Sequence, residues 1–205
     1  MKAAIAFLAA LCVASPAAAQ DPKDTSARTL AVQQKMRELD LVIQILPLAL
    51  KAEQIDPILS ELEKIRADQK KILELEDQEM LGFETKLDKA IQDARDKGKY
   101  PPKDAMAESF NLLHTFQSRR ALARATFIER IFKIVKANCD EGQLTVMEKS
   151  LEPKLIDPTF KSDDRDEKIR FFIRVVFLDG MAYDVLKREY LRLKKGGDPA
   201  KKTDG

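Results

Sequence analysis

Apolar residues recur every three or four positions along most of this 205-residue chain, which places them on one face of an α-helix. A first helix is predicted from Thr25 or Ser26, either of which can cap its N-terminus, as far as Pro47. Its apolar positions are Leu30, Met36, Leu39, Val42, Ile43 and Leu46. The polar residues 20–24 before it are expected to be disordered.

Two long helices are predicted in the middle of the chain. Asp56 followed by Pro57 is typical of an N-cap and a first helical residue, although a short turn from Lys51 could equally run into Pro57 as a kink. The apolar positions that follow have the near-heptad spacing of a coiled-coil seam, with Gln69 and Glu76 in two of its positions. They are Ile58, Leu62, Ile65, Ile72, Met80, Phe83, Leu87, Ile91 and Ala94.

Residues 97–102 include one Gly and two Pro and are predicted to reverse the chain into a helical hairpin. Asp104 starts the return helix, which is predicted to end near Asn138. Its apolar residues are Met106, Phe110, Leu113, Phe127, Ile128, Ile131, Phe132 and Val135. Arms of roughly 35 to 40 residues correspond to a hairpin about 50 to 60 Å long at the helical rise per residue.

The last third of the chain predicts two more helices. A short one runs from about Glu141 to Leu151 and stops before Pro153, and Ser162 with Asp163 is predicted to cap a long last helix. One apolar face of that helix comprises Ile169, Phe172, Val176, Gly180, Tyr183, Leu186, Tyr190 and Leu193. A second row, formed by Phe171, Val175, Leu178, Ala182 and Val185, makes its first half apolar almost all round.

This second row has two interpretations. It is either central core or an interface with another molecule. The candidate interface residues are Phe171, Val175, Leu178 and Val185.

A weak internal repeat appears when the chain is shifted by 89 positions. Ile45, Gln54, Leu62 and Glu63 then align with Ile134, Gln143, Leu151 and Glu152. Each half therefore contains a helix end, a step of four residues to a glutamine, and a new helix. A glutamine in a first helical turn can bond back to unpaired amides, as in a capping box.

The N-terminus has the pattern of a secretory signal peptide over residues 1–19. Lys2 is followed by an apolar run that is too short to span a bilayer, and small residues end at Ala19. Such an Ala-rich signal looks bacterial and predicts a periplasmic or secreted protein without stable membrane insertion. Residues 20–195 are predicted to form one helical domain, and the Gly-, Pro- and Lys-rich residues 196–205 a disordered tail.

Composition adds two constraints. The chain has 36 basic and 34 acidic residues, and loss of Lys2 with the signal leaves a net charge of +1, which gives no reason to expect nucleic acid as a partner. After cleavage Cys139 is the single cysteine, so no intramolecular disulfide can form. Cys139 is interpreted as a buried small apolar residue at a helix junction, with an intermolecular disulfide or a redox-sensitive thiol as the alternative.

Catalytic and metal-binding patterns are missing from the sequence. His114 is the only histidine and is expected to be partly buried and hydrogen-bonded, so neither a catalytic triad nor a zinc site can be assembled. No Gly-rich phosphate loop occurs. We therefore predict no catalytic residue, no metal site and no cofactor.

The glutamine turns carry a resemblance to a known family. The segments Leu50–Gln54 and Cys139–Gln143 resemble the paired Leu-Thr-x-x-Gln motifs of periplasmic proteins of the Spy and CpxP type. Leu50, Gln54 and Gln143 match this motif, Lys51 replaces its Thr, and Cys139 and Asp140 replace the Leu and Thr of the second copy. The resemblance covers at best residues 39–151. It implies a dimeric, cradle-shaped chaperone or stress-response adaptor that works without ATP and without catalytic residues.

These observations predict an all-α fold, a long antiparallel helical hairpin with N- and C-terminal helices packed at its base. The expected function is that of an exported, non-enzymatic protein that binds polypeptide, either an unfolded client or an envelope partner, through apolar helix surface. The alternative is a structural envelope adaptor or homo-oligomeric scaffold. The two differ in whether the apolar surface stays accessible or is hidden in the protein's own assembly.

Overall fold

A computed structural model describes residues 22–196, with side chains from residue 26 onward. The predicted signal peptide and all but the first residue of the predicted tail lie outside this range. The chain divides into two compact units, one ending at Arg37 and one starting at Glu38. The helices are α1 (Pro22–Ile45), α2 (Ala52–Lys97), α3 (Lys103–Asn138), α4 (Glu141–Ser150), α5 (Pro153–Ile156), α6 (Arg165–Phe172) and α7 (Ala182–Lys194).

The N-terminal unit contributes residues 22–37 of α1. Helix α1 begins at Pro22, so residues 22–24 are helical rather than disordered, and no cap at Thr25 or Ser26 is needed. Proline suits a first helical turn because it has no amide hydrogen to leave unpaired. The end before Pro47 is confirmed, since α1 stops at Ile45 and a single 3₁₀ turn, Leu46–Leu48, follows.

The predicted hairpin and the all-α fold class are confirmed. Helices α2 and α3 pack antiparallel along their length, and the reversal falls at Gly98, whose φ of +60° is the left-handed conformation that glycine adopts without strain. Its amide bonds the carbonyl of Asp93 and ends α2 at Lys97. The return helix ends at Asn138, as predicted.

The start of α2 corrects one prediction. Asp56 is not an N-cap, because the helix already begins at Ala52 after Lys51 and carries Pro57 inside its second turn. The hydrogen bond that fixes this start comes from Gln54, whose side chain accepts the Lys51 amide at 2.9 Å. The alternative interpretation, a chain that runs from Lys51 through Pro57, is the one observed.

The predicted last helix is two helices. Asp164, not Ser162 or Asp163, caps α6, since its Oδ1 accepts the Glu167 amide at 3.0 Å. A π-helical turn, Ile173–Phe177, and a turn through Gly180 then interrupt the helix before α7. This break lets both apolar rows reach the core, because the segments on its two sides face it at different angles.

The hydrophobic core lies at one end of the hairpin. We call residues 52–72 and 123–138 the base half and residues 73–97 and 103–122 the tip half. At the base, α7 packs on α2, α6 and the π turn pack on α3, and α4 packs on α6. The side chains least exposed there are Leu41, Leu48, Ile55, Ile58, Ile65, Ile131, Met147, Ile169, Phe172, Ile173, Phe177 and Leu186. In the tip half the buried residues are Glu76, Phe83, Ala90, Ala105 and Phe116, all within the two arms.

Candidate functional site

Two glutamine side chains lie against each other where α2 and α4 begin. Nε2 of Gln54 donates to Oε1 of Gln143 over 2.9 Å, and Nε2 of Gln143 donates back to Oε1 of Gln54 over 3.0 Å. Both residues are buried. Two positions that the sequence placed 89 residues apart in a weak repeat are therefore in direct contact.

Gln54 also joins two helix ends. Besides accepting the Lys51 amide at the start of α2, it donates from Nε2 to the carbonyl of Asn138 at 2.7 Å, at the end of α3. Helix starts leave amides unpaired and helix ends leave carbonyls unpaired, and an amide side chain can satisfy one of each. Gln54 therefore connects the start of one long helix to the end of the other.

The same contacts occur in the second half, shifted by 89 positions. Gln143 accepts the amide of Asp140 at 3.0 Å and donates to the carbonyl of Ala49 at 3.4 Å. Under the shift, Lys51 corresponds to Asp140 and Ala49 to Asn138. The predicted repeat thus coincides with a matched pair of helix junctions.

The other two motif positions lie beside this pair. Leu50 is buried in the core, and Cys139 is partly buried against it at the C-terminal end of α3. Burial, with a smaller effect from the charge of Asp140, raises the pKa of the Cys139 thiol to about 11. All four motif-like positions, Leu50, Gln54, Cys139 and Gln143, are thus helix-junction residues.

The candidate interface on the second apolar row is largely inside the monomer. Phe171 and Val185 are 3% and 6% exposed, and Val175 and Leu178 are half-buried. Phe171 is covered because the Phe160 ring meets it edge-on at 5.1 Å and the Arg174 guanidinium lies 4.6 Å above it. Phe171 and Val185 therefore offer no free surface to a partner, and their burial follows the core interpretation of this row.

A different apolar surface is exposed on the tip half of the hairpin. Leu73, Met80 and Leu87 follow one another at heptad spacing along one side of the α2 seam, and Met106 and Leu113 do the same on α3. We call the following set the apolar stripe: Leu73, Met80, Leu87, Ile91, Met106, Phe110 and Leu113. Its side chains are between 40% and 70% exposed. All of these residues except Leu73 were predicted to lie in the seam or on an apolar helix face, and their spacing gave no sign that they stay uncovered.

Ion pairs occupy the opposite side of the same two arms. Arg119 holds both carboxylate oxygens of Glu79, at 2.9 and 3.0 Å, and Lys86 contacts Glu108 and lies 3.2 Å from Asp104. The hydrogen bond from Lys86 is the main reason that the pKa of Asp104 is below its ordinary value. These pairs join one edge of α2 to one edge of α3, so the apolar rows of the two arms share the other side of the hairpin.

A buried carboxylate lies in the seam beside the apolar stripe, paired with an arginine whose side chain is 58% exposed. Glu76 is 2% exposed, and its Oε2 accepts a hydrogen bond from Nε of Arg120 at 2.7 Å. Its other oxygen, Oε1, has no hydrogen-bond partner in the described residues. A buried polar side chain in the seam of two helices is best known for fixing their register. The burial of Glu76 confirms the seam position predicted for it.

Residues 22–196 contain no metal-binding cluster and no membrane-spanning helix. The acidic, histidine and cysteine side chains of this range form no cluster that could hold a metal ion. His114 is exposed, which corrects the expectation of a partly buried histidine, because its position on α3 points away from the seam. No helix in this part of the chain is both long and apolar enough to cross a membrane.

Comparison with models of protein families, with curated protein sequences and with solved structures gives no significant match for this chain.

Proposed function

We propose that this protein is an exported, non-enzymatic polypeptide-binding protein of chaperone or envelope-stress type, and that the apolar stripe on the tip half of the hairpin is its binding surface. The proposed location is the periplasm or the extracellular space, as the signal-peptide pattern predicts. The resemblance to Spy and CpxP type proteins at the glutamine turns supports the same class of function.

One observation carries this proposal. Seven large apolar side chains on one side of two adjacent helices remain at least 40% exposed, although neighbouring positions of the same helices are buried or ion-paired. Scattered apolar residues are common on protein surfaces, but contiguous apolar patches mark interaction sites. A long helical face of this kind suits extended or helical polypeptide segments, which bind through apolar side chains at regular spacing.

The proposal is tested by aggregation suppression. The mature chain, residues 20–205, is mixed at stoichiometric ratios with two unrelated denatured proteins in the absence of ATP. Suppression of both is expected. If the aggregation of neither protein is suppressed, the chaperone-like function is contradicted.

Matched variants locate the surface. Leu87→Gln with Leu113→Gln changes one leucine of the stripe on each arm, and Leu81→Gln with Leu122→Gln makes the same chemical changes at leucines off the stripe that are 66% and 72% exposed. The stripe variant is expected to bind clients about 30-fold more weakly and so to need more chain for the same suppression, because each of the two buried leucines contributes about 1 kcal/mol to binding. The control variant is expected to act like the wild type, and equal loss in both contradicts the assigned surface.

A homo-oligomeric scaffold is the second candidate, favoured by the same exposed stripe. In that case the stripe is buried between copies of the chain, and sedimentation shows a wild-type oligomer that Leu87→Gln with Leu113→Gln converts to monomer. Such a protein also fails to suppress the aggregation of unrelated clients.

A further inference from the structure

We infer that the polypeptides bound on the apolar stripe are cationic, that is, segments which present apolar and basic side chains together, as a basic amphipathic helix does. This inference rests on the proposed function and specifies the chemistry of the partner. It is carried by the charges that border the stripe.

Three carboxylates follow the α2 edge of the stripe. Asp77 lies between Leu73 and Met80 on the same helix face, and Glu84 and Asp88 continue the row beside Leu87. All three are exposed. Within residues 22–196 none of them accepts a hydrogen bond or forms an ion pair. The edge therefore carries negative charge that the protein itself leaves uncompensated.

On the opposite side of the tip half, carboxylates that face the other arm do have ion-pair partners. There Glu79 is bound by Arg119, and Asp104 and Glu108 share Lys86. These three acidic residues, which lie on the side of the hairpin away from the stripe, are thus ion-paired. The uncompensated row coincides with the uncovered apolar surface.

The positive charges around the stripe do not cancel the row. Arg120 is bound to Glu76 and Lys70 to Glu74, Arg124 lies beyond the stripe toward the base, and Arg95 and Lys103 lie at its tip end. The α3 edge beside Phe110 and Leu113 carries the neutral Gln117. Between these arginines the stripe has a negative rim on one edge only.

An apolar centre with a negative rim selects for partners through charge as well as through buried area. Rim charges speed encounter and disfavour partners of like charge, and each contributes modestly because solvent and salt screen it. The net charge of the mature chain is +1, so a preference for cationic partners cannot come from the protein as a whole. It can come only from a local acidic surface such as this one.

Two synthetic amphipathic peptides of equal length test the inference. They share the same leucines and carry lysine in one and glutamate in the other at every polar position, and each is fluorescently labelled. Binding to the mature chain is measured by fluorescence anisotropy at low and at physiological salt. The lysine peptide is expected to bind about tenfold more tightly than the glutamate peptide at low salt, and this ratio is expected to shrink as salt screens the rim.

Two charge-matched variants assign the preference to residues. Asp77→Asn with Glu84→Gln and Asp88→Asn is expected to weaken the lysine peptide about fivefold at low salt and to leave the glutamate peptide equal or tighter. The control, Asp96→Asn with Glu152→Gln and Asp163→Asn, removes the same charge from exposed carboxylates off the stripe and is expected to change neither. Helical content measured by circular dichroism should be the same in all three proteins.

Four results overturn the inference. Equal binding of the two peptides, or equal weakening by the two triple variants, removes the acidic row as the determinant, while suppression of client aggregation still leaves the proposed function standing. Binding of neither peptide together with no suppression overturns both. A wild-type dimer that becomes monomeric with Leu87→Gln and Leu113→Gln identifies a second copy as the occupant of the stripe instead.

Discussion

The base and tip halves of the hairpin share one seam but differ in what covers it. At the base, α6, the π turn and α7 lie over the arms, and residues such as Ile65 and Ile131 are almost completely buried. Among the described residues from Glu38 onward, those of the tip half pack arm against arm, so Phe83 and Phe116 are buried between the arms while Met80 and Leu113 remain exposed. A heptad pattern therefore predicts that a helix pairs with another helix, but it does not predict whether a third layer of helices covers the pair.

The largest effect is expected from truncating an aromatic residue of the base. Phe172→Ala removes a side chain that is 0% exposed and packs edge-on against Phe177 at 5.4 Å, so it should lower the free energy of unfolding by about 3–5 kcal/mol. Phe83→Ala at the tip should cost about 2 kcal/mol, because only two helices surround the ring and water can enter. Denaturant unfolding followed by circular dichroism measures both. Equal losses would mean that the tip is as tightly packed as the base.

The next largest effect is expected at the glutamine pair. Gln54→Ala and Gln143→Ala should each cost about 2 kcal/mol, because each change leaves buried amide and carbonyl groups without partners. The double variant should cost about 1 kcal/mol less than the sum, since both single changes break the same two hydrogen bonds. Exact additivity would show that the two side chains do not interact in solution.

A smaller effect is expected for Arg130, which bridges two carboxylates of α2 in the base half. Nη1 of Arg130 bonds Asp68 at 2.8 Å, and Nε also contacts Glu61. The hydrogen bond from Arg130 lowers the pKa of Asp68 below 3.8. Burial raises the pKa of Glu61, but the hydrogen bonds of Arg130 and Lys64 outweigh it and leave the pKa below 4.5. Arg130→Gln should lower Tm by about 2 °C at pH 7.

The pH dependence of this variant has a defined sign. A carboxylate whose pKa is lower in the folded state stabilises the protein above its unfolded pKa and loses that contribution as the pH falls through the folded pKa. The Tm difference between wild type and Arg130→Gln should therefore be constant near neutral pH and shrink below about pH 4. Thermal unfolding at a series of pH values measures it, and a difference that grows on acidification contradicts the assignment.

The smallest effect on stability is expected at Cys139. Cys139→Ser should be nearly silent, because the side chain is only partly buried and the new hydroxyl need not lose its contact with water. The reactivity of the native thiol is more informative. With a pKa raised from 9.0 to about 11, it should react with a disulfide reagent at pH 8 about 100-fold more slowly than it does after denaturation. A fast reaction in the folded chain, or a covalent dimer without reductant, would support the redox alternative.

Much of the fold was predictable from local pattern. The ends of the hairpin arms at Lys97 and Asn138 follow from Gly98 and from the loss of apolar periodicity, and the buried Glu76 follows from its place in the seam. Gln54 and Gln143 were identifiable because a glutamine in a first helical turn has a known use. The contact between the two glutamines could not be predicted, because the first-turn pattern concerns only amides of the same helix.

The remaining features depend on tertiary packing. The π turn after Phe172 and the break at Gly180 arise because two apolar rows of one helix must both be buried, which periodicity alone does not reveal. The apolar stripe was equally hidden, because Met80 and Leu87 have the same spacing as core residues of the seam. Whether α6 and α7 reach as far as the tip cannot be read from the sequence of α2.

The glutamine pair has a consequence for how the fold assembles. Gln54 and Gln143 cap their own helices locally, but Nε2 of Gln54 is satisfied only by Gln143 and the end of α3, and Nε2 of Gln143 only by Gln54 and the carbonyl of Ala49. Neither side chain has all of its hydrogen bonds while the other junction is open. The two halves of the base should therefore form and melt together in a single cooperative step, with no stable intermediate in which one half is folded alone.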